Sequence, residues 1–328
     1  MKTKKWLLYA LLTSFILILS DFILMFWSDT FSNLHTDRTL FYTSPNKNVI
    51  KVDYILKNKT KYDSFIFGSS RVASINPLKI KNGRYFNMTH AEEIPKEYLL
   101  VIKLFLKSGV KIKNLLIVLD EFSYQVSFEK HQRQGLTKSH YLATGENFFK
   151  YCRELYLRYP FRSDRDHIKH KIFGGPMFIY DVSKQYEYYK AIEKTFSRKL
   201  FQTEAHINSE VFNKPTFYNG NTLKETINDI KDIKMICNKN GINCNFMINP
   251  IHQKTYEYTN KELLKEFRKQ LSYITPYYDF SYPNKISKDN SYWIETSHYT
   301  VDVGNMIIDT IYNHKQTDGF GRYIQKID

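Results

Sequence analysis

The run WLLYALLTSFILILSDFILMFW at positions 6–27 constrains this chain more than any other feature. About 20 apolar residues are what a helix needs to cross the hydrocarbon core of a bilayer, and Asp21 is the only charge in the run. A cleaved signal sequence has a shorter apolar region closed by a small-residue site. The residues that follow here, SDTFSNLHTD, offer no such site, so the segment reads as a retained anchor. Lys2, Lys4 and Lys5 precede it, and basic flanks stay on the cytoplasmic side. Residues 1–5 are therefore expected to be a cytoplasmic tail, with residues 28–328 outside, on a single-pass protein of the cytoplasmic (inner) membrane. Asp21 has two readings that both stand. It is a packing contact with another membrane protein, since an unpartnered acid in lipid is costly, or a tolerated polar residue.

Beyond the anchor the chain is long enough for one large α/β domain or two small ones. With 42% hydrophobic and 16% aromatic residues it can bury a sizeable core, which excludes a disordered chain. The net charge of +15 invites a nucleic-acid reading, but such footprints are clustered and the lysines here are scattered, so no nucleic-acid partner is expected. Anionic envelope polymers, the lipid surface or plain solvation of the exterior account for the charge. Cys152, Cys237 and Cys244 would sit in a compartment where disulfides persist. Cys237 and Cys244 flank the turn NKNGIN, so a bridge and a free pair both fit, and a bridge would leave Cys152 over. No C-x-x-C pair is present, which argues against zinc; neither a metal nor a cofactor is expected.

Residues 28–60 are polar and lysine-rich, a juxtamembrane stalk that begins to pack around VDYILKN. A regular pattern follows. YDSFIFG (62–68) and RYFNMT (84–89) read as strands, and EIPKEYLLVIKLFLKSG (93–109) as an amphipathic helix closed by glycine. NLLIVLDEFSY (114–124) is a third strand. After an interruption come a helix over 222–240, a strand over 243–250, a helix over 260–274, a strand over 277–281 and a helix over 301–315. Near-continuous apolar strands alternating with helices predict an α/β fold, a three-layer sandwich with a mostly parallel sheet covered on both faces. Residues 125–220 are aromatic and basic, with helical patches in ENFFKYCRELYLRY and SKQYEYYKAIEKTFSRKL. This insertion is too long for an ordinary loop and reads as a cap over the site or a docking surface.

Such sheets bind ligands at the carboxyl ends of their strands. Gly68, Ser70 and Arg71 follow the first strand, Asn87 and Thr89 end the second, Asp120 and Glu121 lie late in the third, and Asn249 and His252 follow the fourth. A serine there becomes a nucleophile only beside a base that a carboxylate orients. YWIETSHY (292–299) supplies both, because in an E-x-x-H turn Glu295 can hold one ring nitrogen of His298 and leave the other to face a serine. Arg71 would clamp an anionic substrate or pair with Asp120 or Glu121. His252 would line the pocket or be a structural histidine. Asp166, His167 and His170 in SDRDHIKHK imitate metal ligands, but the flanking Arg and Lys repel a cation, and a solvated helix face fits better.

FIFGSSR (65–71) and YWIETSHY together resemble the SGNH (GDSL-like) hydrolase superfamily, and YYDFSYP (277–283) is similar to a stretch that precedes the last block there. More narrowly, they resemble membrane-anchored extracytoplasmic members that work with membrane-bound O-acyltransferases, such as D-alanine transfer protein-like chains. The resemblance spans about residues 62–313. It implies an SGNH-like fold, Ser70 as nucleophile, His298 as base, Glu295 as acid, a polytopic membrane O-acyltransferase as partner and a cell-envelope glycan as substrate. Two departures stand out. The acid is usually Asp, and the Gly and Asn blocks that help form the oxyanion hole are replaced by FNMTHAEE (86–93) and LDEFSY (119–124). Backbone N–H groups near Gly68, Ser70 and Asn87 are the expected donors. Three functions remain open: transfer of an acetyl-like acyl group to an envelope polysaccharide through an acyl-serine, an envelope O-acetyl esterase, and a non-catalytic scaffold of a polysaccharide assembly or export complex.

Overall fold

The computed structural model describes residues 2–29, 40–41, 45–158, 172–174, 180–215, 217–315, 317 and 319–327. Asp166, His167 and His170 lie outside the described residues. The N-terminal apolar run forms helix α1 (Lys2–Ser28). Its Lys5–Leu24 stretch is long and apolar enough to cross a bilayer, with none of that surface buried in the rest of the molecule. By length and composition this helix serves as a span or as a signal sequence.

A two-residue antiparallel ribbon joins β1 (Leu40–Phe41) to β5 (Tyr180–Asp181). Helix α2 (Lys47–Lys57) is capped by Asn46, whose Oδ1 accepts from the Asn48 N–H at 3.0 Å, and it buries Val49, Ile50, Val52, Tyr54 and Ile55. The stretch that reads as a stalk in sequence thus already contributes to the core by residue 46.

The main sheet has six strands in the order β3-β2-β4-β6-β7-β8. They are β2 (Ser64–Phe67), β3 (Tyr85–Asn87), β4 (Asn114–Leu119), β6 (Asn243–Ile248), β7 (Tyr277–Asp279) and β8 (Arg322–Ile324). The first five run parallel, and β8 is antiparallel on the β7 edge. Every residue of β2 and β4 is buried, which is why these strands read as unbroken apolar runs rather than alternating ones.

Two apolar cores lie against the two faces. On one, Phe65, Phe67, Leu115 and Ile117 meet α2, α3 (Pro95–Lys107), α6 (Leu223–Lys239) and α8 (Lys261–Ile274). On the other, Ile66, Leu116 and Val118 meet Val72, Ile75, Trp293, Tyr299 and α9 (Val301–Tyr312). Each fully buried aliphatic side chain is worth about 1.5–3 kcal/mol. Helix α3 shows how the local sequence sets an element: Pro95 opens it, the Glu97 carboxylate accepts from the Ile94 N–H at 3.0 Å, and Gly109 at φ 79° lets the chain turn away.

Counted among themselves, the five parallel strands take the order 2-1-3-4-5. The winding therefore reverses between β2 and β4, and the carboxyl ends of strands at such a reversal are the usual ligand position in these sheets. The middle region contributes α4 (Phe148–Arg158), α5 (Gln185–Thr195) and several single-turn helices.

Candidate active site

Strand β2 ends at Phe67, and Gly68 follows without a side chain for a steric reason. A Cβ there would meet Val72 Cγ2 at 2.4 Å and Val118 Cβ at 3.0 Å, so only glycine lets the chain fold back onto β4. Ser69 is buried and caps a 3-10 helix over Ser70–Ser74, its Oγ accepting from the Arg71 N–H at 3.4 Å. Ser69 O accepts from the Thr89 hydroxyl. Ser69 is therefore spent on the turn. Ser70, at the first helical position, has an N–H with no intrahelical acceptor and a half-buried side chain.

The partner of Ser70 comes from 228 positions away. Trp293 and Tyr299 are both fully buried and form an antiparallel bridge, with Ile294 N–H to His298 O at 2.8 Å and Thr300 N–H to Tyr292 O at 2.9 Å. The polar residues between them are held out as a tight loop. Within it, Glu295 accepts from the N–H groups of Ser297 at 2.8 Å and His298 at 2.9 Å, and from His298 Nδ1. His298 Nε2 lies 2.8 Å from Ser70 Oγ. An ionised carboxylate only accepts, so the Nδ1 proton points at Glu295 and leaves Nε2 free to accept the Ser70 proton. Burial works against the charge of Glu295, but the hydrogen bond and charge of His298 and the two amides outweigh it, and the carboxyl titrates below its ordinary value.

Four further contacts set this geometry. Ser74 Oγ donates to Tyr299 O at 2.7 Å. A Cβ on Gly304 would lie 2.1 Å from Ser74 O, so glycine at this position of α9 permits the close approach of helix to turn. Thr255, on α7 (Gln253–Tyr258), donates through Oγ1 to Thr296 O at 2.8 Å, and Thr296 Oγ1 in turn donates to Lys214 O at 2.7 Å.

Arg71 ties three segments together from below. Only 2% exposed, it donates from Nη1 and Nη2 to the two carboxylate oxygens of Glu121, the Nη2 bond to Oε1 measuring 2.7 Å. Nη1 also reaches Asp120 Oδ1 at 3.3 Å, Nε donates to Ser297 Oγ at 3.1 Å, and the guanidinium lies 5.2 Å from the Phe122 ring centre. Burial opposes its charge, but Glu121 and Asp120 more than offset this and the pKa rises. Asn249 completes the cluster, donating to Asp120 Oδ1 at 2.8 Å and accepting from the Tyr299 hydroxyl at 3.1 Å.

Several residues singled out as substrate or oxyanion groups are engaged elsewhere. The Gly68 N–H donates to Glu93 Oε2 at 3.1 Å. Asn87 is fully buried, donating through Nδ2 to Val72 O at 2.9 Å and Ile75 O at 3.2 Å while its Oδ1 accepts from the Thr89 N–H. Arg71 and Asp120 are sealed against each other and Glu121. His252 caps α7, with Nδ1 accepting from the Lys254 N–H at 3.1 Å and Nε2 2.9 Å from Asn290 Oδ1. It stacks on Phe212, and burial lowers its pKa. Of the expected donors, the Ser70 N–H starts a helical turn and so has no intrahelical acceptor.

Sequence reasoning missed the support behind β3. Lys51 is buried and donates through Nζ to Asn87 O at 2.9 Å and Thr89 O at 2.7 Å, holding the strand end that braces Ser69. His90, Glu93, Glu97 and His131 pack beside it in a buried polar group. Only the density of charged residues in THAEE (89–93) hinted at this. Cys237 and Cys244 are free thiols that influence each other's titration, and Cys152 is free as well. Among the described residues no group of three or more His, Cys, Asp or Glu side chains is arranged to hold a metal.

Serine, imidazole and carboxylate in line are the apparatus of acyl transfer, whatever fold carries them. No protein-family model matches this chain, and none of the curated proteins matches it, so the chemistry of the site rests on its own residues.

Proposed function

We propose that this chain is a membrane-anchored serine acyltransferase that moves an acyl group of acetyl-like size onto a cell-envelope polysaccharide through an acyl-serine intermediate. The observation that carries the reading is the alignment of Ser70 Oγ, His298 and Glu295, with 2.8 Å between Oγ and Nε2. His298 Nε2 takes the Ser70 proton as Oγ attacks the acyl carbonyl of a donor ester. The carbon–oxygen bond to the leaving group then breaks, and that oxygen receives the proton from His298. An acceptor hydroxyl repeats the steps in reverse, giving its proton to His298 while the ester moves to the glycan and Ser70 is regenerated. Glu295 keeps the ring in the required tautomer and stabilises the imidazolium. The Ser70 N–H supplies oxyanion stabilisation. One donor fewer than a full hole costs about 100-fold to 1000-fold in turnover, which suits a transferase with a bound acceptor better than a fast esterase. The long apolar run of α1 supports an anchor, and a polytopic O-acyltransferase fits as the source of the acyl group.

A second reading, an envelope O-acetyl esterase, is favoured by the exposure of the site. The His298 side chain is 39% exposed and that of Glu295 31%, so water reaches the acyl-serine. Full-length protein in detergent, treated with a fluorophosphonate, should be labelled at Ser70, and Ser70→Ala should abolish labelling while keeping its thermal midpoint. Absence of labelling in folded wild-type protein would sink both catalytic readings and leave the scaffold. Acyl release from a chromogenic acetyl ester, with and without glycan acceptor, separates transfer from hydrolysis.

A further inference from the structure

The end of the anchor helix is buried against the body. Helix α1 ends at Ser28, and Asp29 takes a left-handed conformation at φ 42°, an ending that aspartate tolerates better than most residues. Asp29 is only 5% exposed. It lies beside Tyr151 and Cys152 of α4, and after burial its charge is among the influences that push both groups up. Tyr151 and Leu155 on the inner face of α4 are buried with Val49 of α2. The outer face is different: the Phe149 residue is 79% exposed and Arg153 is exposed. Residues three and four apart share a helix surface, so Phe149 stands next to Cys152 and to Arg153, along the edge that borders Asp29.

The apolar stretch able to span ends at Leu24. Five residues from there to Asp29, four of them helical, add roughly 7 Å at about 1.5 Å each. The headgroup layer beyond the hydrocarbon is about 5–7 Å thick on each side. A buried Asp29 therefore sets the body directly on the headgroups, with α4 at the contact.

We infer that α4 is an interfacial helix, with Phe149 inserted at the headgroup boundary of the bilayer that α1 crosses and Arg153 among anionic headgroups. An aromatic flanked by a cation is the composition such surfaces use. A phenylalanine left almost wholly exposed in water beside the exit of a membrane span has its cover in that membrane. The inference rests on α1 being a retained span. Its consequence is an orientation fixed by two points, the span and α4, rather than a body swinging on a stalk.

The test uses the full chain in vesicles of phosphatidylcholine and phosphatidylglycerol, with the photo-crosslinker p-benzoylphenylalanine placed at Phe149 or at Met235. Met235 is 61% exposed on α6, toward the end of that helix that leads to the amino end of β6. Irradiation should give lipid adducts by mass spectrometry at Phe149 and none at Met235. Equal adducts at the two positions, or none at Phe149 in chains that resist alkaline carbonate extraction, would overturn the inference while leaving the anchor standing. Release of the chain by carbonate would overturn the anchor and the inference together.

Discussion

On one side of the turn after β2, Ser70, His298 and Glu295 stand partly open to solvent; on the other, Arg71, Asp120, Glu121 and Asn249 are sealed from it. Both clusters are dense in polar groups, and they share the loop at 295–298 through Ser297 and His298. They differ in what is satisfied. Each side chain on the closed side has fixed protein partners, Asp120 through Oδ1 alone, and moving a proton there would leave a buried charge unpaired. On the open side, the Ser70 hydroxyl faces a neutral nitrogen, and its proton can leave without stranding a buried charge. The same residue types therefore act as a brace in one place and as reacting groups a few ångströms away.

The comparison breaks most decisively at Glu295. Glu295→Gln removes the charge that orients His298 and should slow acylation of Ser70 by about 10³-fold to 10⁴-fold, with little change in thermal midpoint. Fluorophosphonate labelling kinetics measure it, and a wild-type rate would make Glu295 part of the brace. On the closed side the expected effect is on stability. Arg71→Met strands Glu121 and Asp120 and should cost about 3–5 kcal/mol, visible as a lowered unfolding midpoint and partly restored by adding Glu121→Gln. A loss below about 1 kcal/mol, small for a broken buried pair, would show that the cluster does not brace the turn.

A third outcome concerns the buried group behind β3. Burial opposes the charge of His131, but Glu92 and Glu97 raise its pKa from 6.5 to about 9. A cation with a raised folded-state pKa contributes stability that is fully present below about pH 6.5 and is lost as pH rises through about 9. His131→Gln should flatten that alkaline fall, by roughly 1–3 kcal/mol, in melts collected between those values. A wild-type protein whose midpoint holds steady across the window would contradict it. The smallest effect is expected at His252, where alanine removes a helix cap worth about 1 kcal/mol and leaves the labelling rate alone. A tenfold slower rate would move His252 into the working site.

The elements most legible in sequence were the ones whose burial is uniform. The β2 and β4 strands and helices α3, α6, α8 and α9 follow from apolar runs and 3.6-residue periodicity closed by Pro and Gly. The short antiparallel β8 was missed because Arg322 and Tyr323 on that edge are exposed and leave no apolar signature. Helix α2 was obscured by Lys51, since a buried lysine contradicts the usual reading of such a residue. The engagement of the Gly68 N–H by Glu93, 25 positions on, has no local signal at all.

By itself the sequence determined an apolar helix at the N-terminus, an α/β sheet, a serine turn after a strand and an E-x-x-H loop, because each depends on near neighbours along the chain. Only the tertiary structure decided which polar groups remain available. Gly68, Asn87, Arg71, Asp120 and His252 all sit at strand ends or in the following loops, where a ligand would bind, and all are consumed by partners distant in sequence. A hydrogen-bonding group is reactive or structural according to whether the fold has already satisfied it, and here that is settled mainly by contacts across 12 to 228 positions, beyond the reach of any local pattern.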